Sequence, residues 1–518
     1  MTHPAVSVSA TEAFFASPEQ AHFARQWTAG YVDELRNPGG MEEYPLSNAQ
    51  ALKLRKLFTE TAEQRGTKFT FGEDEESPSG SRLASTLQLG MTMTKRTALI
   101  DLEASWTPSW RMRWAKQGSS GANATLAEVP TFDCGGDLAD YTYDTVPNRV
   151  KQIVRNQQHW ARVDSVRGRA GKVDRLVPII ADGDSGHGNS TATMKMVKLF
   201  LEAGVAGIHI DDMQSGEKNF SVGSLTHVMV PTSEHIRRLL SAKLQMDISG
   251  SHCVLIARTD SESASRITST IDPADRPFIL GRTNLSLPSL SKVLSGSKTT
   301  GADRLAEETA WEEASNLTTL DEAVAAVLSG SELEEWKSAT AGLNTSDALI
   351  KAQELGIKVV WDAEGCRNLR GWYRYKGGID AAIARSIAFA PYSDMLWSCA
   401  PGYNFDEIVK LEKEVHSAVP GKWLGYNWSF GYFTDKPESY AAGLVKAVGD
   451  LGFIWQFNPM AGFTASGVDL SRFAKDMHEQ GMLAYRNMIA EGLRENVSVL
   501  GWYPDAGSLT DRLTDAVQ

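Results

Sequence analysis

The chain has few cysteines for its length, and they lack the spacing of a disulfide scaffold or a clustered-thiol metal site. Four cysteines occur in 518 residues, and no two of them are separated by only two residues. Small secreted scaffolds are far richer in cysteine. The composition therefore predicts an intracellular protein. The cytoplasm is the first expectation, and the peroxisome, glyoxysome and mitochondrion are the alternatives.

Long apolar runs and basic tracts are also missing. No stretch approaches the roughly 20 apolar residues that a membrane-spanning helix needs. The N-terminal letters MTHPAVSVSATEAFF do not resemble a secretory signal, and the C-terminal TDAVQ is not an SKL-type address. The formal net charge is -12, which disfavours contact with a phosphate backbone. We therefore expect neither a membrane nor a nucleic-acid partner, and an anionic ligand would need local positive charge.

What the chain does contain is a series of short, continuous apolar runs separated by helical patterns. Strands that are buried on both faces have this character, because helices cover one face and a packed interior covers the other. Eight such runs predict a (β/α)8 barrel. A doubly wound open sheet is the alternative, although no GxGxxG turn follows an early strand. The runs are TALIDLEASW (97–106), LVPIIAD (176–182), AGIHID (206–211), CVLIART (253–259), IKVVWD (357–362), DMLWSC (394–399), KWLGYN (422–427) and GFIWQF (452–457).

The spacing of the runs predicts a divided chain. About 97 residues with helical patterning lie between the fourth and fifth runs, and the C-terminal residues are also helical in pattern. We therefore expect an α/β barrel with N-terminal helices, an inserted helical subdomain and a C-terminal helical tail. The predicted ranges are 1–90 for the N-terminal helices, 91–265 and 357–465 for the barrel, 266–356 for the insertion and 466–518 for the tail.

Two carboxylates follow the second apolar run, in the segment IIADGDSGHGN. Asp182 and Asp184 stand where a strand meets a loop, which is the edge at which barrel active sites occur. Paired carboxylates suit Mg²⁺, which prefers oxygen ligands and keeps several waters. Mn²⁺ is the alternative ion. An ordinary Asp/Gly turn explains the same letters equally simply, so spacing alone leaves both interpretations open.

Further polar side chains follow neighbouring runs. His209, Asp211 and Asp212 lie at the end of the third run, and Asp137 precedes a helix. Acids that converge must share a cation or take up a proton, because like charges raise one another's pKa. We expect Asp137 and Asp211 to join the metal site and His209 to be catalytic. Separate solvated acids are the alternative.

Three more runs end in side chains that could bind a carboxylate. Arg258 follows the fourth run and is a planar bidentate donor, although a structural ion pair with Asp260 is an alternative role. Asn427 and Ser429 follow the seventh run and could donate hydrogen bonds to a second carboxylate, or simply cap a loop. Trp397, in the sixth run, is assigned to substrate binding.

Taken together, these segments resemble the isocitrate lyase family, and most closely its long fungal and plant type. The related 2-methylisocitrate lyases share much of the pattern. The resemblance covers roughly residues 130–490 and rests on an ordered series of motifs: DLADYTYDTVPNRV, VPIIADGDSGHGN, GVAGIHIDDMQ, VPTSEHIRRL, ARTDSESASRITSTIDPADRPFI, GWYRYKGGIDAAIARSIAFAPYSDMLW and GFIWQFNPMAGF.

The resemblance implies a (β/α)8 barrel that exchanges a helix between subunits of a homotetramer, and Mg²⁺-dependent cleavage of isocitrate, a small anionic carboxylate, to glyoxylate and succinate. By motif match it implies that Asp182 is the direct metal ligand and that three other acids hold metal-bound waters. It implies that Arg258, Asn427 and Ser429 bind substrate carboxylates. The three water-holding acids are Asp184, Asp137 and Asp211, the last of which replaces a glutamate.

The chain departs from the family where the family carries its catalytic thiol. The family's KKCGH loop corresponds here to GEKNFSVGSLTHVMVP. Ser221 takes the cysteine position when the loop is counted back from Val230, and Phe220 takes it when the loop is counted forward from Asp211. Neither count yields a thiol. A serine hydroxyl is a much weaker acid than a thiol and needs an adjacent base, so Ser221 is a poor like-for-like substitute for the thiol. Ser221 is nevertheless the residue predicted at the catalytic position, as an altered proton donor.

Other substrate-facing positions have also changed. Cys399 replaces a glutamate, Gly431 replaces a serine and Pro459 replaces a threonine. The family's SGW motif has two possible counterparts, at 104–106 and at 120–122. Three hypotheses follow: a lyase of this type with a changed proton donor, another reaction on a 2-oxo or 2-hydroxy acid at the same metal site, and a non-catalytic paralogue. Retention of the metal acids favours the two enzymes.

Overall fold

The computed structural model describes residues 8–36, 44–71, 119–122, 142–168, 174–217, 227–400, 402–428, 433, 436–458, 461–494, 507 and 509–517. These residues form two β-sheets, and helices pack against them. Asp137, Ser221, Ser429 and the predicted strand at 97–106 lie outside the described residues.

The strands fall into a larger sheet of eight and a smaller sheet of five. In chain order, the strands are β1 (Lys68–Phe71), β2 (Ser119–Ala122), β3 (Ile179–Asp182), β4 (Gly207–Ile210), β5 (His227–Met229), β6 (Val254–Thr259), β7 (Ala264–Ile267), β8 (Ile279–Arg282), β9 (Leu317–Thr319), β10 (Tyr373–Tyr375), β11 (Met395–Ser398), β12 (Trp423–Asn427) and β13 (Phe453–Asn458).

In the larger sheet, every hydrogen-bonded pair of neighbouring strands is parallel. Its order is β2-β3-β4-β6-β11-β12-β13-β1, which follows the chain from β2 to β13 without reversal. A doubly wound sheet reverses direction at a switch point, so that alternative is wrong. Strands β1 and β2, at the two ends of the order, have Cα atoms within 8 Å of each other.

Six of the eight predicted runs form strands of this sheet, which confirms a mixed α/β fold with a parallel sheet. The strands are apolar on both faces, as expected. On one face, Ile180 and Ile256 pack in a cluster with Trp455. On the other face, Ile179 and Leu255 pack in a cluster that includes helix side chains. Burial of both faces explains why the runs are continuous rather than alternating.

One predicted barrel strand is wrong. The run IKVVWD at 357–362 forms no strand, and only an isolated bridge joins Asp362 to Arg282. The run buries one side only, since Val360 is 55% exposed whereas the Trp361 indole donates to the Thr318 carbonyl at 2.8 Å. Strand β1 was missed, because its four residues lie in a region with a helical pattern.

The smaller sheet has the order β5-β7-β10-β8-β9 and mixes parallel and antiparallel pairs. Two of its strands, β8 and β9, lie wholly within the segment 266–356, which was predicted to be helical. That segment is therefore a mixture of helices and strands. Its apolar side chains pack around the fully buried Trp336, separately from the larger sheet.

Helices account for most of the remaining described residues, and none of them is both long and apolar enough to cross a membrane. Their bounds are Val8–Phe15, Ala29–Leu35, Pro45–Glu63, Thr145–Val166, Ser190–Ala203, Thr232–Ile248, Leu290–Gly296, Gly301–Ser315, Leu320–Ala325, Gly330–Thr340, Thr345–Glu354, Ile379–Phe389, Phe405–Ala418, Glu438–Asp450, Ala461–Gln480 and Met482–Arg494.

The helix that follows β3 is defined at both ends by its sequence. The Asn189 side chain accepts a hydrogen bond from the Ala192 backbone N–H at 3.1 Å, which satisfies a free donor of the first turn. Gly204 ends the helix with φ +95°, a left-handed conformation that glycine adopts without strain. The acidic loop 183–189 is therefore held between a buried strand and a capped helix.

A buried ion pair anchors helix Pro45–Glu63 to the larger sheet. The Arg55 guanidinium donates to both carboxylate oxygens of Asp394 at 2.8 Å, and to the carbonyls of His252 and Cys253. Burial alone would raise the pKa of Asp394, but Arg55 and His22 hold that pKa well below its usual range. Loss of the cation would leave a buried, uncompensated carboxylate.

We predict that Arg55→Ala lowers the free energy of unfolding by about 3–5 kcal/mol, the cost of breaking one side of a buried ion pair. Urea denaturation followed by circular dichroism measures this difference. Lys56→Ala is the matched control, because its side chain is 77% exposed and its ion pair spans 3.8 Å. The control should stay within about 0.5 kcal/mol of wild type. Equal losses in the two variants would contradict the anchoring role of Arg55.

Candidate functional site

The described site residues lie at the carboxyl ends of adjacent parallel strands. Asp182 ends β3 and pairs in register with His209 on β4. Arg258 on β6 pairs in register with Trp397 on β11, and Asn427 ends β12. Side chains at the ends of neighbouring parallel strands converge on one edge of a sheet. Predicted residues from five strands are therefore brought to one place.

The acidic side of this edge is built on the loop after β3. His209 Nδ1 lies 3.3 Å from Asp182 Oδ1, and the same oxygen accepts the Asp184 backbone N–H at 2.8 Å. Asp184 has a left-handed φ of +43°, which is uncommon for a residue with a side chain. Its carbonyl accepts the Asp211 backbone N–H at 2.8 Å. Backbone contacts thus bring all three predicted metal acids in the described chain into one cluster.

Glycine is required at one point of this loop. The Gly183 backbone N–H donates to the His209 carbonyl at 2.8 Å. A Cβ atom at Gly183 would lie only 2.8 Å from that oxygen, and 3.1 Å from side-chain atoms of Ile208 and Met196. The close approach of the two loop backbones therefore leaves no room for a side chain.

Arg258 supplies the positive charge of the site. Its Nε and Nη2 atoms donate to the two Asp260 carboxylate oxygens at 2.7 and 2.8 Å. Its Nη1 atom points towards Asp182, 4.0 Å from Oδ2. Two of its three nitrogens are therefore engaged in the structural ion pair that the sequence left as an alternative, and the third faces the acidic loop.

The electrostatic environment keeps Arg258 charged. Burial opposes its ionisation, but the fields of Asp260, Cys399, Asp211 and Asp182 together raise its pKa well above the usual value. A buried guanidinium among carboxylates is stable only because those charges compensate one another. The site therefore holds a permanent cation next to acids that outnumber it.

Trp397 is the side chain that the other groups share. The Arg258 guanidinium lies 4.4 Å from the centroid of its ring, and the His209 ring packs edge-on against it at 4.8 Å. Its indole N–H donates to Asn427 Oδ1 at 3.1 Å. The cation and the two neighbouring polar groups are therefore fixed against one buried aromatic surface.

Two further residues of this edge have contacts that spacing did not predict. Cys399, which stands where the family has a glutamate, has its Sγ atom 3.8 Å from Arg258 Nη2 and is buried with Trp397. Asp212, next to Asp211, accepts from the Asp260 backbone N–H at 2.9 Å. The adjacent acidic letters in IHIDDMQ were the available signal, but spacing could not separate the roles of the two acids.

The described residues fit a metal that keeps much of its water better than one held in a protein cage. Within the described part of the chain, no group of three histidine, cysteine, aspartate and glutamate side chains is arranged to hold a metal ion. Asp182, Asp184 and Asp211 nonetheless bring hard oxygen donors to one buried edge. Mg²⁺ usually takes one or two carboxylates and completes its shell with water and substrate oxygens.

A glutamate also lies beside this edge. Glu262 follows β6, and its Oε2 atom accepts a hydrogen bond from the Ser398 hydroxyl at 3.3 Å. Burial, together with the charges of Glu407 and Asp260, raises the pKa of Glu262 to about 7. Two successive residues of β11 therefore contact charged groups. Trp397 faces the Arg258 guanidinium, and Ser398 donates to Glu262, whose carboxyl group can be protonated near neutral pH.

Charged groups held at the carboxyl ends of parallel strands are typical of enzyme active sites. The profile of the isocitrate lyase family matches residues 115–512. An isocitrate lyase from Oryza sativa subsp. japonica is 37% identical over 411 residues, covering 73% of this chain and 71% of that protein. This chain therefore belongs to the isocitrate lyase family, a family of carbon–carbon lyases.

Two further relatives match almost the whole chain. An isocitrate lyase from Pinus taeda is 34% identical over 518 residues and covers 92% of this chain and 83% of its own length. A mitochondrial 2-methylisocitrate lyase from Schizosaccharomyces pombe is 31% identical over 513 residues, and the match covers 95% of this chain and 92% of that protein. The family thus includes relatives named for two different substrates at similar distances from this chain.

We predict a pH-dependent stability difference between wild type and Glu262→Gln. The folded-state pKa of about 7 lies above the ordinary value of 4.5. The folded chain therefore keeps a proton that the unfolded chain releases, and the free energy of unfolding falls as the pH rises between these values. Glutamine does not ionise, so the free energy of unfolding of the variant should not fall in this way. Between pH ~5 and ~8, the free energy of unfolding of the variant should rise by on the order of 2 kcal/mol relative to that of wild type.

Chemical denaturation at a series of pH values tests this difference. Glu335→Gln, at an exposed glutamate of helix Gly330–Thr340, is the control and should run parallel to wild type. A constant offset between Glu262→Gln and wild type across the pH range would show that burial does not perturb Glu262.

Proposed function

We propose that this protein is a Mg²⁺-dependent carbon–carbon lyase that cleaves a 2-hydroxy di- or tricarboxylate such as isocitrate or 2-methylisocitrate. The observation that carries the proposal is the meeting of Asp182 with both His209 and Arg258, at 3.3 and 4.0 Å, on the carboxyl edge of the sheet. Family membership supplies the reaction class, and this arrangement supplies the groups that such a reaction needs.

The proposal includes a closed (β/α)8 barrel. The parallel order and the approach of β1 to β2 support closure of the larger sheet. We propose that the ranges 91–265 and 357–465 form the barrel region, to which β1 also contributes. The segment 1–90 would add N-terminal helices, 266–356 an inserted subdomain and 466–518 a C-terminal tail.

The acids of the described loops suit a hydrated divalent ion, Mg²⁺ or Mn²⁺. We assign the direct contact to Asp182, and contacts through water to Asp184 and Asp211, with Asp137 as a fourth acid. When bound, such an ion would polarise the hydroxyl and carboxylate oxygens of a 2-hydroxy acid. Arg258 is already paired with Asp260, and Arg238 contacts the backbone of Asp211 rather than its carboxylate. The grouping of Asp182, Asp184 and Asp211 supports this assignment, because neighbouring carboxylates are stabilised by a shared cation.

Arg258 and Asn427 are the proposed contacts for substrate carboxylates, together with Ser429. Asp260 occupies Nε and Nη2 of Arg258, which leaves Nη1 for a substrate oxygen. Asn427 uses its Oδ1 atom to accept from Trp397, so its amide N–H₂ is oriented as a donor. Trp397 thereby orients both groups and contributes apolar surface to the pocket.

Cleavage of the carbon–carbon bond in such an acid requires the hydroxyl group to lose its proton. The bond then breaks and leaves a carbanion, which must take up a proton. His209, in contact with Asp182, is the proposed catalytic group for moving a proton on the metal side. Ser221 remains the proposed replacement for the family's thiol. The proposal is therefore a lyase with an altered proton donor.

A different reaction on a related 2-oxo or 2-hydroxy acid is the second candidate. The Cys399 thiol lies 3.8 Å from Arg258 at a position where the family carries a glutamate. This exchange removes one acid from the edge and changes the charge that a substrate meets. A non-catalytic paralogue has less support, because the buried acids and Arg258 are costly to retain without a ligand.

We also propose a homotetramer in an intracellular compartment. Helices Ala461–Gln480 and Met482–Arg494 carry several exposed apolar residues, and none of their described side chains belongs to a hydrophobic core cluster. Helices with uncovered apolar surface suit exchange between subunits. Among the described residues of the tail, the large apolar side chains that are exposed are Val468, Met482, Leu483, Tyr485, Leu493, Leu513 and Val517.

We predict that purified protein with Mg²⁺ forms glyoxylate from isocitrate, or the corresponding 2-oxo acid from 2-methylisocitrate. Asp182→Asn should lower this Mg²⁺-dependent rate by roughly 100-fold or more, since several kcal/mol of charge stabilisation are lost. Asp303→Asn, at an exposed acid of helix Gly301–Ser315, is the control and should keep the wild-type rate. Absence of turnover with both substrates would reject the lyase, and full activity of Asp182→Asn would reject the metal site.

The assembly generates a separate prediction. The double change Met482→Ser and Leu483→Ser should reduce the molar mass in solution, because these side chains are 69% and 51% exposed and would lie in the exchanged helices. Size-exclusion chromatography with light scattering measures the mass. Ile350→Ser with Val360→Ser changes two equally exposed apolar side chains outside the tail and should leave the mass unchanged. An unchanged tetramer in the tail variant would refute the role of the tail.

A further inference from the structure

Arg385 is a buried arginine outside the proposed substrate contacts, on helix Ile379–Phe389. Its side chain is 1% exposed, and its guanidinium donates to four acceptors. Nη1 donates to Asp212 Oδ2 at 3.0 Å, and Nη2 donates to Asp275 Oδ1 at 2.8 Å and to the Val230 carbonyl at 2.9 Å. Nε lies 3.3 Å from the Tyr375 hydroxyl. Arg385 therefore joins the larger sheet to the smaller one.

Asp212 carries the connection to the carboxyl end of β6. Its Oδ1 atom accepts the Asp260 backbone N–H at 2.9 Å, and its Oδ2 atom accepts the Thr259 hydroxyl at 2.6 Å. Both bonds are fully buried, so their loss would leave unsatisfied groups. Asp212 thus fixes the backbone at the residue that binds Arg258.

Asp260 completes the chain of contacts. It receives two hydrogen bonds from Arg258, and Nη1 of that arginine then points towards Asp182. Arg385 is consequently linked to Arg258 through Asp212 and Asp260 by hydrogen bonds between 2.7 and 3.0 Å long. The path contains no exposed side chain and no flexible chain end.

The other side of Arg385 is equally fixed. Asp275 accepts from both the backbone N–H and the hydroxyl of Thr232 at 2.8 Å. Val230 and Thr232 lie at the junction between β5 and helix Thr232–Ile248. The guanidinium is therefore held by carboxylates on two separate segments, and its planar fork satisfies both at once.

We propose that Arg385 is a positioning residue that sets the orientation of Arg258 for the substrate carboxylate. This inference rests on the proposed function only in that Arg258 contacts substrate; the geometric link is independent of the reaction. Two buried aspartates accept hydrogen bonds from the Arg385 guanidinium, so its loss displaces Asp212, then Asp260, and finally Arg258. A lysine in its place keeps the charge but cannot donate to Asp212, Asp275 and the Val230 carbonyl in the same geometry.

The closing experiment compares four variants: Arg385→Lys, Arg258→Lys, the double variant of these two, and Arg55→Lys. Arg55 is the matched control, because it is also a buried arginine with a bidentate aspartate but lies in the anchor of helix Pro45–Glu63. Thermal unfolding of each variant reports the general cost of a buried Arg→Lys change. Steady-state kinetics reports KM and kcat separately.

We expect Arg385→Lys to raise KM by about 10-fold to 100-fold with a smaller change in kcat, the range produced by an ångström-scale displacement of a binding group. Arg55→Lys should lose comparable thermal stability without a change in KM. The double variant should have the KM of Arg258→Lys alone, because residues on one contact path give non-additive effects. Additive KM effects, or a KM no higher than that of Arg55→Lys, would overturn the proposal.

A crystal structure of Arg385→Lys separates this inference from the proposed function. If wild type has no lyase activity, the function fails, but displacement of Arg258 from Asp260 in the variant still supports the positioning link. If wild type is active and Arg258 keeps both bonds to Asp260 in the variant structure, the function stands and the positioning link is refuted.

Discussion

The bidentate ion pair between Arg258 and Asp260 is the contact on which the carboxyl edge of the larger sheet depends. Neither charge could be buried there alone, because transfer of an isolated ion out of water costs several kcal/mol even after relaxation. The pair leaves Arg258 Nη1 facing Asp182 and places the guanidinium over the Trp397 ring. The position of the Arg258 guanidinium relative to both Asp182 and the Trp397 ring therefore follows from its ion pair with Asp260.

The parallel sheet was predictable because burial acts on every residue of its strands. Continuous apolar letters in β3, β4, β6, β11, β12 and β13 reflect packing on both faces, and no other arrangement of such short strands explains them as simply. The run at 357–362 has the same letters but a different environment. Val360 is exposed while Trp361 is buried, so the letters were apolar without the double burial that a central strand requires.

The grouping of the candidate residues was predictable from the sequence, but their contacts were only partly so. Asp182, His209, Arg258 and Asn427 were chosen at the ends of neighbouring strands, and the described geometry places them close together around Trp397. Spacing could not decide whether Arg258 serves a ligand or the acid two residues later, because the choice depends on side-chain torsions. The link from Arg385 to Asp212 spans 173 positions, and no local pattern records a contact at that distance.

Gly183 carries a consequence for how this architecture can diversify. Its backbone lies so close to the His209 carbonyl that no larger residue fits, which ties the acidic loop to β4 whatever ligand the enzyme uses. Drift in specificity must therefore occur elsewhere along the rim. Cys399, where the family carries a glutamate, follows β11 and takes no part in this close contact. The contact between Gly183 and β4 thus limits which residues the acidic loop can accept, whereas the end of β11 has accepted a change from the family's residue.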